Sequence, residues 1–478
     1  MQKSALTVFS ARGYFWWHGQ PIPDGRLGPD DSIPGILSID DNGHIEIELD
    51  GVLSKDWPFP LQKPHPTPIQ GILKTPQEDI YADNRLQYVL LLNVWNNGGE
   101  LKSSGISFQR VIAEICIRSD TTFGSGPTLV FSDLSVDLNG YEEWLAVTML
   151  TVSDTDSKRM VTLTQQGPDT YALEDGQLRV EYGWRAPLSR YKLNWTQEAR
   201  VTYIPPAPMS WDDLLVKYQA FQDLLVLLTD GYYGLEWPEV RGTNGAQCRC
   251  YFFRNRDLDR KRPLPDYPVP FSAIKATFGN CWSSWMSVRN ELGPGAYLYL
   301  GTRKGTTLYP ENRFMNLMWG IEALHRKRPE RASRKDGVEN KVGRIVGQVS
   351  KASDRKWLRT QLRHATEPSL ADRIYDVFRD LPLQIEDGRL REFAKDCATL
   401  RNDISHFGGL RNEGVYEDFV KDAIRKGEAV SLLYHACLLQ RIGVDSSILT
   451  YWVHNGPASY DKTHVLIDNG LVTANPPR

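Results

Sequence analysis

The chain has 478 residues, with 56 Lys and Arg against 59 Asp and Glu and a formal net charge of -3 at pH 7. Its 41% hydrophobic and 11% aromatic content can close proper cores, which excludes a globally disordered chain, and its length predicts two or three domains. A nearly balanced charge excludes an overall field that would draw in nucleic acid, so an anion-binding surface has to be local.

Residues 1–10 carry no continuous apolar run of signal-peptide length. The first two hundred residues read as strands and turns. Ile45, Ile47 and Leu49 alternate with Glu46, Glu48 and Asp50, the period of a strand with one wet face, and Asp41-Asn42-Gly43 supplies a tight turn before them. Residues 88–94, ended by Asn96-Asn97-Gly98-Gly99, then 108–117 and 145–152 are further strand candidates. The proline-rich passage 58–68 cannot be central strand, because each proline lacks a ladder donor. An antiparallel sandwich or curled sheet is the simplest container. Phe15, Trp16, Trp17 and His18 fit core plus a sheet edge, with a base-stacking or sensing platform as the alternative.

Pro205-Pro206-Ala207-Pro208 marks a break. Ser210 is an N-cap candidate, Asp212 and Asp213 suit a first turn, and a helix then runs through Leu214, Tyr218, Phe221, Leu225 and Leu228. Lys217, Gln219, Gln222 and Asp223 interrupt this stretch, so it cannot cross a bilayer. Residues 247–253 and 296–301 look like strands, and 254–270, dense in charge and proline, like a solvated loop. The six cysteines, Cys116, Cys248, Cys250, Cys281, Cys397 and Cys437, are scattered as small core residues would be in a reducing compartment. Cys248 and Cys250 lack the further ligands of a zinc site and fit alternating strand positions. A cytoplasmic protein without a membrane partner is expected.

From Glu311 onward the period is helical. Phe314, Leu317, Met318, Ile321 and Leu324 make one buried stripe, and Pro329 stops that helix after a basic run. Shorter helices follow over 354–364 and 370–378. Leu390, Phe393, Cys397, Leu400, Ile404 and Phe407 form a continuous seam on a helix from about Asp387 to the stop at Gly408-Gly409, and a last long helix over 416–442 carries Val420, Ile424, Leu432, Leu433 and Leu439. The expected fold is multidomain α+β: a β-rich, sandwich-like region over 1–204, a mixed connector over 205–310 and an all-α bundle over 311–478.

Arg401, Asn402 and His406 lie on the last turns of the seam helix, and Asn402 and His406 share a face. The set fits phosphodiester cleavage in RNA. Histidine exchanges protons near neutral pH, with the ribose 2′-hydroxyl or the departing 5′-oxygen, while arginine keeps its charge and binds two phosphoryl oxygens. Asn402 could orient the histidine or a phosphate oxygen. One histidine per chain leaves a shortage, which a two-fold partner or an intrachain helper such as His435 would fill. Near the motif there are only a few carboxylates, chiefly Asp396 and Asp403, and no dense Asp/Glu group for a two-metal nuclease, so catalysis without metal or cofactor is expected. Spacing alone is weak, since Arg359 and His364 repeat it on what reads as a solvated helix end.

The segment Arg401-Asn402-Asp403-Ile404-Ser405-His406-Phe407 resembles the signature of HEPN-domain ribonucleases. Residues 313–325 are similar to the opening helix of the ApeA-like branch, and Gly13-Tyr14-Phe15-Trp16-Trp17 with Pro34-Gly35-Ile36-Leu37 resembles the β-rich partner domain of ApeA anti-phage proteins. The resemblance implies a defence ribonuclease that dimerises through its HEPN domain, answers an unknown phage-derived trigger and cuts RNA, with tRNA a candidate, leaving 2′,3′-cyclic phosphate ends. Arg401 would then bind the scissile phosphate, Asn402 position groups and His406 move the proton. Glu322 and His325 share a face of the first helix and could support the cleft, together with Asp403 and His435. Arg326, Lys327, Arg328, Arg331, Arg334 and Lys335 could hold an RNA backbone, or form an ordinary solvated loop. Two other functions stay open on the residues alone: a regulatory dimer that binds RNA or nucleotide without cutting, and nucleotidyl transfer beside a partner enzyme.

Overall fold

The computed structural model describes residues 6–53, 65, 67–74, 86–100, 102, 104–105, 107–123, 129–155, 158–185, 188–189, 192–193, 195–231, 234–254, 266–304, 308–327, 332–362, 367–407 and 414–473, without the side chains of 155, 188–189, 192–193, 332–338 and 407. The chain divides into two compact units, the first made of 1–222 and 233–261, the second of 223–232 and 262–478.

The first unit is built on strands β1 (Thr7–Trp17), β2 (Ile33–Asp40), β3 (Ile45–Leu49), β4 (Ile69–Lys74), β5 (Leu86–Glu100), β6 (Phe108–Ser119) and β7 (Val130–Asp137). After a short helix α1 (Glu142–Leu145) come β8 (Leu150–Thr155), β9 (Lys158–Leu163), β10 (Asp169–Leu173), β11 (Gly176–Arg185), β12 (Leu188–Ser189), β13 (Lys192–Leu193), β14 (Thr196–Ile204) and β15 (Met209–Ser210). Helix α2 (Trp211–Thr229), whose residues from 223 on belong to the second unit, and strands β16 (Glu239–Gly242) and β17 (Gln247–Phe252) follow.

Strands β6, β3, β2, β1, β4 and β5 are consecutive antiparallel neighbours, and β5 pairs again with β6, so this part of the sheet closes on itself and leaves no edge. Alternation fills the interior: Phe15, Leu37, Ile39, Ile45, Ile47, Leu49, Val89 and Leu91 are wholly buried, each worth roughly 1.5–3 kcal/mol relative to exposure. Glu46 and Glu48 face outward and meet Arg110. From β6 the sheet continues through β17, β16, β7 and β14 to β11 and β10. The β-rich expectation is met. Phe15 and Trp16 are core, while Trp17 lies against the His65 ring and His18 Nδ1 is 3.0 Å from Gln70 Oε1.

Three local readings change. Asn96-Asn97-Gly98-Gly99 does not end β5; it is absorbed as a register break between Asn96 and Gly99. Residues 145–152 are not one strand, because the turn of α1 ends at Leu145 and β8 begins at Leu150 to pair with β9. Residues 296–301 are helix, as described below. Of the passages read as loop, 58–64, 66 and 255–265 lie outside the described residues. Cys248 and Cys250 sit at alternate positions of β17, both buried, and burial raises both thiols, as it pushes Cys116 up to about 12.

The second unit holds α3 (Phe271–Ile274), α4 (Phe278–Arg303), α5 (Pro310–Arg326), α6 (Ala332–Gly347), α7 (Ala352–Gln361), α8 (Leu370–Phe378), α9 (Asp387–Phe407), α10 (Tyr416–Arg441), α11 (Ser446–His454) and α12 (Ser459–Asp468). This is the expected all-α bundle. Helix α4 bends at Gly293, whose φ of 62 suits glycine, and Pro294 opens its second half where no intrahelical donor is needed. Ala296, Tyr299 and Leu300 then face the core at helical spacing while Tyr297 and Leu298 stay outside. Aromatic and apolar neighbours here imitate a strand, and the helix is decided by what it packs on. A Cβ on Gly295 would lie 2.0 Å from Gly320 Cα, so α4 and α5 cross with backbones nearly touching.

Helix α5 starts with Pro310 at its first position and buries Phe314, Leu317, Met318, Ile321 and Leu324 as its spacing predicts. Helix α8 opens with a capping box between Ser369 and Asp372. Helix α9 buries Leu390, Phe393, Cys397 and Leu400; the stop at 408–409 lies outside the described residues, as does the Phe407 side chain. Helix α10 is enclosed over residues 429–439, with Ile424 left exposed and Phe419 and Ala423 on the buried face. Among the described residues no helix is long and apolar enough to cross a membrane.

Candidate functional site

Helices α5 and α9 run antiparallel past each other. Ser405 Oγ lies 3.8 Å from Met315 Sδ, and four residues earlier on α9 the Arg401 Nη2 donates to Glu322 Oε1 at 3.0 Å. Both pairs follow from one-face spacing, since 401 and 405 are one turn apart on α9 and 315 and 322 are two turns apart on α5. Arg401 Nη1 also reaches Asn402 Oδ1 at 3.4 Å. Each terminal nitrogen keeps a second N–H, so the guanidinium is anchored without being exhausted.

Helix α8 closes the third side. Arg373 Nη1 lies 3.7 Å from Glu322 Oε2, and the same guanidinium donates to Glu367 at 3.0 Å and to the Pro368 carbonyl at 3.0 Å. Arg326, one turn along α5, has Nη2 3.9 Å from Glu322. Glu322 therefore sits among three guanidiniums, and with Glu367 on Arg373 one positive charge is left in surplus, local in a chain whose total is negative. Sequence reasoning passed over Arg373. Its signal was its place one turn into a well-capped helix, between buried Ile374 and the cap, but nothing in the linear order ties residue 373 to 322 or 401.

The other expected residues divide. His325 is on the same helix as Glu322, with Nε2 3.4 Å from Asp376 Oδ2 of α8, and Asp376 also meets Arg379 at 3.3 Å. Asp403 is half-buried on α9. His406 is exposed at the end of α9 and has no side-chain partner among the described residues. Arg326 and Lys327 are exposed; Arg328 and Arg331 lie outside the described residues, and Arg334 and Lys335 belong to α6 with side chains outside them.

His435 is placed elsewhere. Its ring is wholly buried, with Nδ1 2.6 Å from the Tyr299 hydroxyl, Nε2 2.8 Å from the Leu227 carbonyl, and Asp230 at 3.5 Å. A carbonyl only accepts, so Nε2 carries the hydrogen and Nδ1 accepts from Tyr299. Burial lowers the His435 pKa below its ordinary 6.5, and both ring nitrogens are taken by Tyr299 and Leu227, core groups away from the motif. Among the described residues no group of three or more His, Cys, Asp or Glu is placed to hold a metal ion.

Residues 10–285 match the family model of the ApeA N-terminal domain 1, and residues 315–448 match that of the Apea-like HEPN. The chain belongs to the ApeA family of anti-phage proteins. No curated protein and no solved structure matches it. In this ApeA chain the HEPN match begins inside α5 and ends after α10, so it contains Glu322, Arg373, Arg401 and His406. The assignment makes metal-independent action on RNA the general activity of the helical unit and RNA its partner.

Proposed function

We propose that the helical unit is an endoribonuclease whose site is the end of α9, with Arg401 on the scissile phosphate and His406 moving a proton. The observation that carries this reading is the Arg401 guanidinium, held by Glu322 at 3.0 Å five positions before an exposed histidine on one helix end. The 2′-oxygen loses its proton and attacks phosphorus; an O2′–P bond forms as the P–O5′ bond breaks, and the 5′-oxygen takes a proton as it leaves. The products are a 2′,3′-cyclic phosphate and a 5′-hydroxyl. Arg401 stabilises the equatorial oxygens as charge builds on them, and His406 serves as acid or base. Asn402 steadies Arg401, while Glu322 and Arg373 fix its direction. His325 and Asp403 stand as supporting groups beside it.

A single imidazole supplies only one of the two proton transfers. A homodimer joined through the helical unit would bring a second α9 end to the same linkage, so that each cleft draws on two chains. Arg326 and Lys327, with the basic residues that follow them, would track the RNA backbone. We further propose that the substrate is RNA of the cytoplasm, with tRNA the first candidate, and that the β-rich unit answers a phage-derived trigger.

End-labelled RNA incubated with the full chain in EDTA is expected to be cut. RNA that is bound and left whole, or cut only after a divalent metal is restored, would overturn the proposed reaction and favour a binding role.

A further inference from the structure

We infer that Trp319 is a stacking platform for an RNA base next to the Arg401 end of α9. The inference rests on the reading of this helix end as an RNA site and names a contact that fixes how a nucleotide lies there. Met315, Trp319, Glu322 and Arg326 are spaced i, i+4, i+7 and i+11, which puts them on one face of α5. Two members of that face are tied to α9, Met315 to Ser405 at 3.8 Å and Glu322 to Arg401 at 3.0 Å. Trp319 lies between those two ties, alongside the turns that carry Arg401 and Ser405.

Its neighbours in the stripe of the helix core are enclosed, with Phe314, Met318 and Ile321 all 0% exposed, yet Trp319 is left 49% exposed. Among the described residues it has no ring partner and no hydrogen bond. A large rigid aromatic surface is thus presented to solvent on the α5 face that carries Glu322 and Arg326; of the three guanidiniums at Glu322, Arg373 is also held by Glu367, which leaves one positive charge in surplus. An aromatic face beside guanidiniums is what a single-stranded nucleotide needs: phosphate to the cations, base onto the ring. Met315, the apolar neighbour on this face, is engaged with Ser405 of α9, while Glu322 and Arg326 on the other side of the indole are charged, which favours a nucleotide over a second copy of the chain.

The test uses the full chain carrying His406→Ala, so that RNA stays whole while it binds. A fluorescent single-stranded RNA is titrated and its anisotropy followed. Adding Trp319→Ala is expected to weaken binding about 5- to 100-fold, the size of one lost base stack, whereas Trp319→Phe retains most of it. The Trp319→Ala loss is expected to vanish when the stacked nucleotide is made abasic. Unchanged affinity of Trp319→Ala overturns the inference. So does a loss that the abasic RNA shares in full, or a shift from dimer to monomer in sedimentation, which would assign the indole to a subunit interface. Failure of the wild-type chain to cut RNA contradicts the proposed reaction but leaves the binding result standing, so the two failures are separable.

Discussion

His406→Ala protein is expected to cut RNA about 10²- to 10⁴-fold more slowly than the wild type, the contribution of a positioned acid or base. His406 is exposed and has no side-chain partner among the described residues, so its removal opens no cavity and strands no buried group. Circular dichroism and the melting temperature should therefore match the wild type, which separates chemistry from folding. Arg401→Ala is expected to lose about 10²- to 10³-fold, as removal of a donor to developing charge does. Glu322 would keep Arg373 and Arg326, so the carboxylate is not left bare. Arg401→Lys keeps the charge and loses the fork, and should resemble alanine more than arginine. Single-turnover rates near wild type for both alanine variants would remove this helix end from the reaction.

Gly295→Ala is expected to destabilise the helical unit by about 3 kcal/mol, the upper end of what overpacking costs. Its new methyl would meet Gly320 Cα at 2.0 Å, backbone against backbone, where no side chain can rotate away. Helix α5 would have to shift, and it carries Glu322, so cleavage should weaken along with stability. Gly388→Ala is the control. Its nearest neighbour is Glu386 Oε1 at 4.0 Å, and there alanine should be neutral or gain up to about 1 kcal/mol by restricting the unfolded chain. Denaturant unfolding of the two variants checks this; equal midpoints would contradict the close crossing of α4 and α5.

How far the sequence could be read depended on the range of the information. Period-two and helical spacing are local, so β3, α5, α8 and α9 emerged with nearly their observed limits. The segment 296–301 failed because apolar and aromatic residues in a row satisfy either period; burial of Ala296, Tyr299 and Leu300 against other helices decides it. Closure of β5 onto β6 was equally invisible, being set by partners distant in the chain. The same boundary runs through the site. Arg401 and His406 were legible because they share a helix end, and Glu322 with His325 because they share a face of α5. Arg373 and Asp376 reach that group only through the packing of α8, and Trp319 was hidden until its exposure was known. His435 drew notice as a spare imidazole, but Tyr299 and Leu227, 136 and 208 residues away, occupy both of its nitrogens.

The reaction itself is tested most directly on the substrate. An RNA cut at a mapped position is resynthesised with a single 2′-deoxynucleotide on the 5′ side of that linkage and given to wild-type protein in EDTA. The account predicts that cutting stops at this linkage while other sites remain competent. Cleavage there at an unchanged rate would mean that the neighbouring 2′-oxygen is not the nucleophile, and the chemistry assigned to Arg401 and His406 would fall.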